Sequence, residues 1–165
     1  MPNLLDLPFI SSTRRNHALE HATIHLISRK RPGVAFAGHS NPGGFILVGD
    51  ADLEMIVETV QEALGHLRAG RSSLAIHEGC GTNYALIGGL AALFSIMTLS
   101  NTNTNQQRWG RFPLLMLTSL VAFLVGRSVG PGLQKHVTTD AAPAGLHVVS
   151  VSRLFGKVHW VRTEG

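Results

Sequence analysis

Two uncharged apolar stretches dominate the hydrophobic pattern of this chain. Residues 84–99 and 112–125 contain no charged side chain. With their neutral flanks, both come near the roughly 17–25 residues that a helix needs to cross a bilayer. The segment between them is polar, carries Trp109 and is too short to form a domain. The pattern therefore predicts a transmembrane helical hairpin over residues 83–129.

The alternative for these stretches is a buried helical hairpin in a soluble protein. A core helix normally carries a polar stripe, and these two have only scattered Ser and Thr. Small residues in the first stretch offer places where two membrane helices approach closely, namely Gly88, Gly89, Ala92 and Ser95. We therefore favour the membrane hairpin.

The segment before the first apolar stretch predicts two amphipathic helices. Residues 11–13 offer an N-cap for a first helix that ends near Arg29, before a Pro-Gly pair. Asp50 or Asp52 can cap the second helix. Its apolar side chains follow helical spacing and its glutamates form an outward row: Leu53, Ile56, Val57, Val60 and Leu64, with Glu54, Glu58 and Glu62.

Five short strands complete the predicted domain. The first two flank a turn-rich segment, and the last two alternate apolar and polar residues around Phe155-Gly156, which predicts a β-hairpin. The strand candidates are 34–37, 45–48, 73–76, 145–154 and 157–162.

The predicted fold class is α+β. We expect a small cytoplasmic α/β domain, with about two helices and five short strands, that is interrupted by the transmembrane hairpin. Residues 1–82 form its N-terminal part, 83–129 the hairpin, and 130–165 its C-terminal part with the second β-hairpin.

The distribution of charge predicts the topology. Seven Lys and Arg precede the first apolar stretch, two lie between the two stretches and five follow the second. By the positive-inside rule, we expect a multi-pass protein of the cytoplasmic (inner) membrane with both termini in the cytoplasm. The first 15 residues lack the pattern of a cleaved secretory signal. The single cysteine, Cys80, fits a reducing compartment.

The net charge of +4 is spread along the chain. Membrane topology and anionic lipid explain it better than a phosphate backbone does, so we expect the bilayer and no nucleic acid as partner. A domain this small on a two-span anchor also suggests membrane-protein partners or a homo-oligomer.

The most specific chemistry lies in the first predicted helix. His17 and His21 are four residues apart, so their imidazoles project from adjacent turns of one face, and His25 repeats the spacing. Two such nitrogens can bind one metal ion. Glu20 lies between them in the order H-x-x-E-H, which makes it the candidate catalytic base. We interpret His25 as a helix residue or a supporting group.

The hairpin topology adds candidates for a third ligand. The chain just before the first span and just after the second emerge side by side, which brings His77 and Cys80 near His136 and Asp140. Zinc accepts imidazole nitrogen, thiolate sulfur or carboxylate oxygen. The predicted metal ligands are therefore His17 and His21, with His77, Cys80 or His136 as the third, and zinc is the expected cofactor.

The motifs RRNHALEHATIH, CGTN and HVTTD, with a two-span hairpin between the last two, resemble an uncharacterised prokaryotic membrane-protein family known as a domain of unknown function. The resemblance covers nearly the whole chain. It implies a membrane protein but brings no activity or catalytic residue. Inverted-zincin metallopeptidases resemble the chain only over His17 to His21, and they take a third ligand from a later glutamate.

Three functional classes follow from these residues. The first is a zinc-dependent hydrolase, most simply a peptidase, in which Glu20 takes a proton from water and the substrate is a peptide or a lipid-linked molecule at the cytoplasmic surface. The second is a non-catalytic metal- or haem-binding accessory subunit of a membrane complex. The third is a structural membrane protein whose histidines only form hydrogen bonds.

Overall fold

The computed structural model describes residues 4–100 and 102–165 and divides into two compact units. The first unit comprises the chain up to His77 together with Gln134–Gly165, and the second comprises Glu78–Leu133. Helices and an antiparallel sheet occur together, which confirms the predicted α+β class.

The first unit packs two helices against one antiparallel sheet. Helix α1 spans Pro8–Lys30 and helix α2 spans Leu53–Arg68. The strands are β1 (Ala37–Asn41), β2 (Gly44–Val48), β3 (His147–Phe155) and β4 (Val158–Glu164). Their order in the sheet is β1-β2-β4-β3. Pairing of β2 with β4, with Ile46 opposite Trp160, joins the two chain segments of this unit. Three short helical turns complete it: 3-10 turns at Leu4–Asp6 and Ser72–Ala75, and a π-helical turn at Gln134–Thr138.

The core of the first unit lies between the two helices and the inner face of the sheet. Helix α2 forms where the apolar spacing predicts it, because one stripe of its side chains meets this core. The largest apolar side chains that are fully buried come from α1, α2 and three strands or their flanks: Leu19, Ile27, Ile56, Val60, Leu64, Phe45, Leu47, Val161 and Leu146.

Three predicted local features are wrong. Helix α1 begins at Pro8 rather than after residues 11–13, since proline suits the first helical turn and Thr13 instead bonds back to the Phe9 carbonyl at 2.8 Å. Strand β1 begins at Ala37, where the prediction had it end, and includes part of the segment predicted as a turn. Residues 73–76 form most of a 3-10 turn instead of a strand, so the described sheet has four strands and not five.

The second unit is helical. It contains α3 (Gly81–Leu99), the short α4 (Asn105–Gly110) and α5 (Phe112–Leu133). The segments Gly81–Leu99 and Phe112–Thr138 are both long and apolar enough to cross a membrane, with mean hydropathies of 1.5 and 1.8. Few residues in the most apolar 18-residue part of each segment are buried: 6% in the first and 11% in the second. Their large side chains therefore face outward.

Small residues on α5 set the packing of α3 against α5. The buried residues of α5 are Ala122, Gly126 and Gly130, which recur every fourth position on one face. A Cβ at Gly126 would lie 2.5 Å from the Ile87 side chain, and one at Gly130 would meet Asn83. The close approach predicted at Gly88 and Gly89 is wrong, because a Cβ at either glycine would meet nothing within 4 Å.

Candidate metal centre

The histidines of α1 form a row on one face of the helix. The rings of His17 and His21 are in edge contact, with centroids 4.2 Å apart. Their candidate ligand nitrogens lie within 4.8 Å of each other. Zinc binds imidazole nitrogen at about 2.0–2.1 Å, which places two ligand nitrogens at most about 4.2 Å apart, so a small movement of the two rings lets both bind one ion. His17 and His21 could therefore hold a metal ion, as the helical spacing predicts.

His77 adds a fourth imidazole to this row. Its ring centroid lies 5.7 Å from that of His21 and 4.9 Å from that of His25. Gln134, which is fully buried, fixes the main chain there by accepting from the His77 amide at 2.8 Å and donating to the His77 carbonyl at 3.0 Å. The imidazole cluster, defined as His17, His21, His25 and His77, thus belongs wholly to the first unit.

Main-chain carbonyls face one ring nitrogen of each histidine on α1. Nδ1 of His17 lies 3.0 Å from the Thr138 oxygen, and Nδ1 of His21 lies 2.7 Å from the Ala75 oxygen. A carbonyl oxygen only accepts, so the nitrogen that faces it carries the proton. In the neutral ring, the lone pair is then on Nε2 of both residues. These carbonyls therefore select the tautomer that can bind a metal through Nε2.

His25 has the opposite orientation. Its Nε2 donates to the Ile76 oxygen at 2.7 Å, which leaves the lone pair of the neutral ring on Nδ1. The ring packs edge-on against His77. This contact is in keeping with the supporting role that the sequence predicts for His25.

Arg14 fixes the π-helical turn that supplies the carbonyl partner of His17. Its guanidinium donates to the Val137 oxygen at 2.8 Å and to the Thr139 oxygen at 3.1 Å. The Arg14 carbonyl also accepts from the Asp140 amide at 3.0 Å. Arg14 therefore positions the Thr138 oxygen indirectly, through the main chain on either side of it.

Glu20 points toward strand β1. Its side chain is 4% exposed, and one carboxylate oxygen accepts from the Ser40 hydroxyl at 2.5 Å. Gly38 leaves the space for this carboxylate, because a Cβ there would lie 2.6 Å from the other oxygen. A buried carboxylate next in sequence to His21 is therefore held by a hydroxyl on the sheet.

The sequence singled out three other residues as neighbours of these histidines. His136 is exposed in the π-helical turn, and its carbonyl oxygen lies 3.5 Å from the Arg14 guanidinium. Asp140 forms an ion pair with Arg15 at 3.6 Å. Cys80 belongs to the second unit, where it precedes α3. The metal roles of His136 and Cys80 stay predictions.

Sequence reasoning missed Arg14, Ser40 and Gln134, which position the cluster and Glu20. A basic residue in a His-rich helix is common on a solvated surface, and a serine in a turn-rich segment gives no signal. Gln134 is an uncharged amide five residues after the predicted hairpin, and its sequence position gives no sign that it bonds to His77. All three act through contacts that are distant in sequence.

The chain belongs to the family described as a domain of unknown function (DUF6391), whose model matches residues 12–151. An uncharacterised protein of Picosynechococcus sp. is 30% identical in an alignment of 159 positions that covers 88% of this chain and 73% of that protein. No solved structure matches the chain at a significant level. The predicted kinship with an uncharacterised family is confirmed.

Proposed function

We propose that this member of the DUF6391 family is an integral membrane protein that binds zinc through His17 and His21. The observation that carries the proposal is the pairing of each Nδ1 with a main-chain carbonyl, at 3.0 and 2.7 Å. Metal-binding histidines almost always donate their other ring N–H to such an acceptor, which fixes the ring and raises its basicity. Histidines that serve only as surface groups do not need this support.

His77 is the proposed third ligand. Its ring lies beside those of His21 and His25, and Gln134 holds its main chain at both the amide and the carbonyl. His136 and Cys80 are the other third ligands that the sequence predicts. A set of nitrogen ligands, with or without one thiolate, suits zinc better than it suits calcium or magnesium.

Exposed apolar side chains support insertion of α3 and α5 in a bilayer. Ile96 and Met97 on α3 and Met116 on α5 are 70%, 63% and 62% exposed. An apolar surface of this extent is rare on a protein surrounded by water. The excess of Lys and Arg outside the hairpin favours the inner membrane with both termini in the cytoplasm.

Metal analysis of the full chain, purified in a neutral detergent, tests the zinc proposal. We expect about one zinc per chain in the wild type and its loss in the H17A/H21A double variant. The matched control is H147A, which removes an exposed histidine at the start of β3. Elution volume and circular dichroism establish that each variant is folded.

Metal-free wild-type protein, or full zinc content in a folded H17A/H21A variant, would overturn the proposal. A visible absorption band with no zinc would favour the haem-binding alternative instead. The H77A variant tests whether His77 is the third ligand. If this variant binds as much zinc as the wild type, His77 is not a zinc ligand.

Hydrolysis is the second candidate function, and the burial of Glu20, which precedes His21 in the H-x-x-E-H order, is what favours it. In this role, Glu20 accepts a proton from the water that attacks a peptide or a lipid-linked substrate. We expect E20Q to keep its zinc and to lower turnover of a fluorogenic peptide library about 10²–10⁴-fold. E58Q, on the exposed face of α2, is the control. Equal turnover by E20Q and wild type would exclude Glu20 as the base.

A further inference from the structure

A cleft of about 360 Å³ in the first unit is separate from the imidazole cluster. It lies where the C-terminal turns of α1 and α2 meet the segment that enters the 3-10 turn. Its polar lining comes from Arg29, His66, Arg71, Ser72 and Ser73, and Leu26 and Leu74 contribute apolar surface. We refer to these residues as the basic cleft.

The two arginines give the basic cleft its charge. Arg29 and Arg71 are both exposed, and neither takes part in an ion pair among the residues that the structure describes. Glu62, which contacts His66 at 3.6 Å, also binds Lys30 at 2.7 Å. This carboxylate is therefore already occupied, and both guanidinium groups remain available to an anion.

The main chain brings the polar groups of the cleft together. Gly70 has φ +80°, which lets the chain turn sharply after α2. The Arg71 amide donates to the His66 carbonyl at 3.0 Å, and the Ser72 amide donates to the Gly70 carbonyl at 2.8 Å. These bonds hold Arg71 and the two serines in a compact turn opposite Arg29.

We propose that the basic cleft binds a phosphate group. Guanidinium groups match the oxygens of phosphate with two parallel N–H donors, and serine hydroxyls add further donors. The volume lies near the lower end of the range for small-molecule sites, so it suits a phosphate with a short organic stem. Either a phospholipid headgroup or a soluble phosphate ester supplies this chemistry. The site does not depend on zinc binding.

The test is calorimetric titration of the full chain in a neutral, phosphate-free detergent, with sodium chloride keeping the ionic strength constant. The probes are inorganic phosphate, glycerol phosphate and a short-chain phosphatidic acid. We expect saturable binding of phosphate, and about a tenfold or greater loss of affinity in the R29Q/R71Q variant. R162Q is the matched control, because Arg162 lies on β4 and pairs with Glu164.

The three probes distinguish the two sources of the phosphate. A lipid headgroup is the natural ligand if phosphatidic acid binds at least about ten times more tightly than glycerol phosphate and R29Q/R71Q abolishes this difference. Similar affinities for phosphatidic acid and glycerol phosphate identify a soluble phosphate ester. No saturable binding by the wild type, or equal losses in R29Q/R71Q and R162Q, would overturn the proposal. Single variants R29Q and R71Q replace the double variant if its circular dichroism shows that it is not folded.

Discussion

The two units bury different kinds of residue. The first unit encloses large side chains such as Phe45 and Leu47, which are fully buried against α1 and α2. On α5 the second unit buries only Ala122, Gly126 and Gly130, while its large apolar side chains face outward. In water, the burial of apolar area drives packing. In lipid, which is itself apolar, close contact at small residues takes over that role. The contrast supports different surroundings for the two units.

The largest expected effect is the loss of a large side chain from the core of the first unit. F45A removes a fully buried phenyl ring, and we expect it to lower the free energy of unfolding by about 3–5 kcal/mol. L117A removes a side chain on α5 that is 56% exposed, and we expect a change below about 0.5 kcal/mol. Thermal unfolding in detergent measures both. Equal losses of unfolding free energy in F45A and L117A would mean that large side chains stabilise the two units to the same extent.

An added side chain should have the next largest effect, and here the second unit is the sensitive one. G126L places a side chain where a Cβ already comes within 2.5 Å of Ile87, so we expect a loss of about 1–3 kcal/mol. G88L adds the same side chain where nothing lies within 4 Å, and it serves as the control. Reversible unfolding in mixed micelles with a denaturing detergent provides the measurement. A loss in G88L as large as that in G126L would contradict the proposed helix contact.

The smallest expected effect is on pH dependence, and it belongs to the first unit. Burial lowers the pKa of His159 below its ordinary value of 6.5, and the nearby charge of Arg153 lowers this pKa further. The unfolded chain therefore takes up a proton at His159 more readily than the folded chain does. Stability from the neutral ring is complete above pH 6.5 and decreases as the pH falls below it, by at most about 1.4 kcal/mol per pH unit.

We test this effect by measuring the melting temperatures of wild type and H159Q at about pH 7.5 and 5.5. These two pH values lie about one unit above and below the ordinary pKa of histidine. We expect the wild type to lose more stability than H159Q between the two. H147A, which removes an exposed histidine, should follow the wild type. The same pH dependence in wild type and H159Q would assign the effect to other groups.

Strong periodic patterns made parts of the fold predictable. The apolar spacing of α2 and the alternation along β3 and β4 predicted elements close to the observed ones, because each pattern matches a buried face. Strand β1 and the 3-10 turn at Ser72–Ala75 were mispredicted. Most of β1 is exposed, so its side chains carry no burial pattern, and its position depends on pairing with β2.

The helical part of the candidate site was the most predictable. The four-residue spacing of His17, His21 and His25 fixes their common face on α1 whatever surrounds the helix. The hairpin topology also predicted that His77 and the segment after the second apolar stretch return to this helix. No pattern indicated that Gln134 would hold His77, because a buried amide is recognisable only when both of its partners are in place.

The sequence by itself determined the amphipathic α2, the two apolar segments and the histidine row of α1, since each follows from the spacing of residues close together in the chain. Tertiary structure decided which carbonyl faces each imidazole, where Glu20 points and which glycines lie between α3 and α5. The physical reason is range. Periodicity along a helix is local, whereas a hydrogen bond or a steric contact joins residues that approach only after the chain has folded.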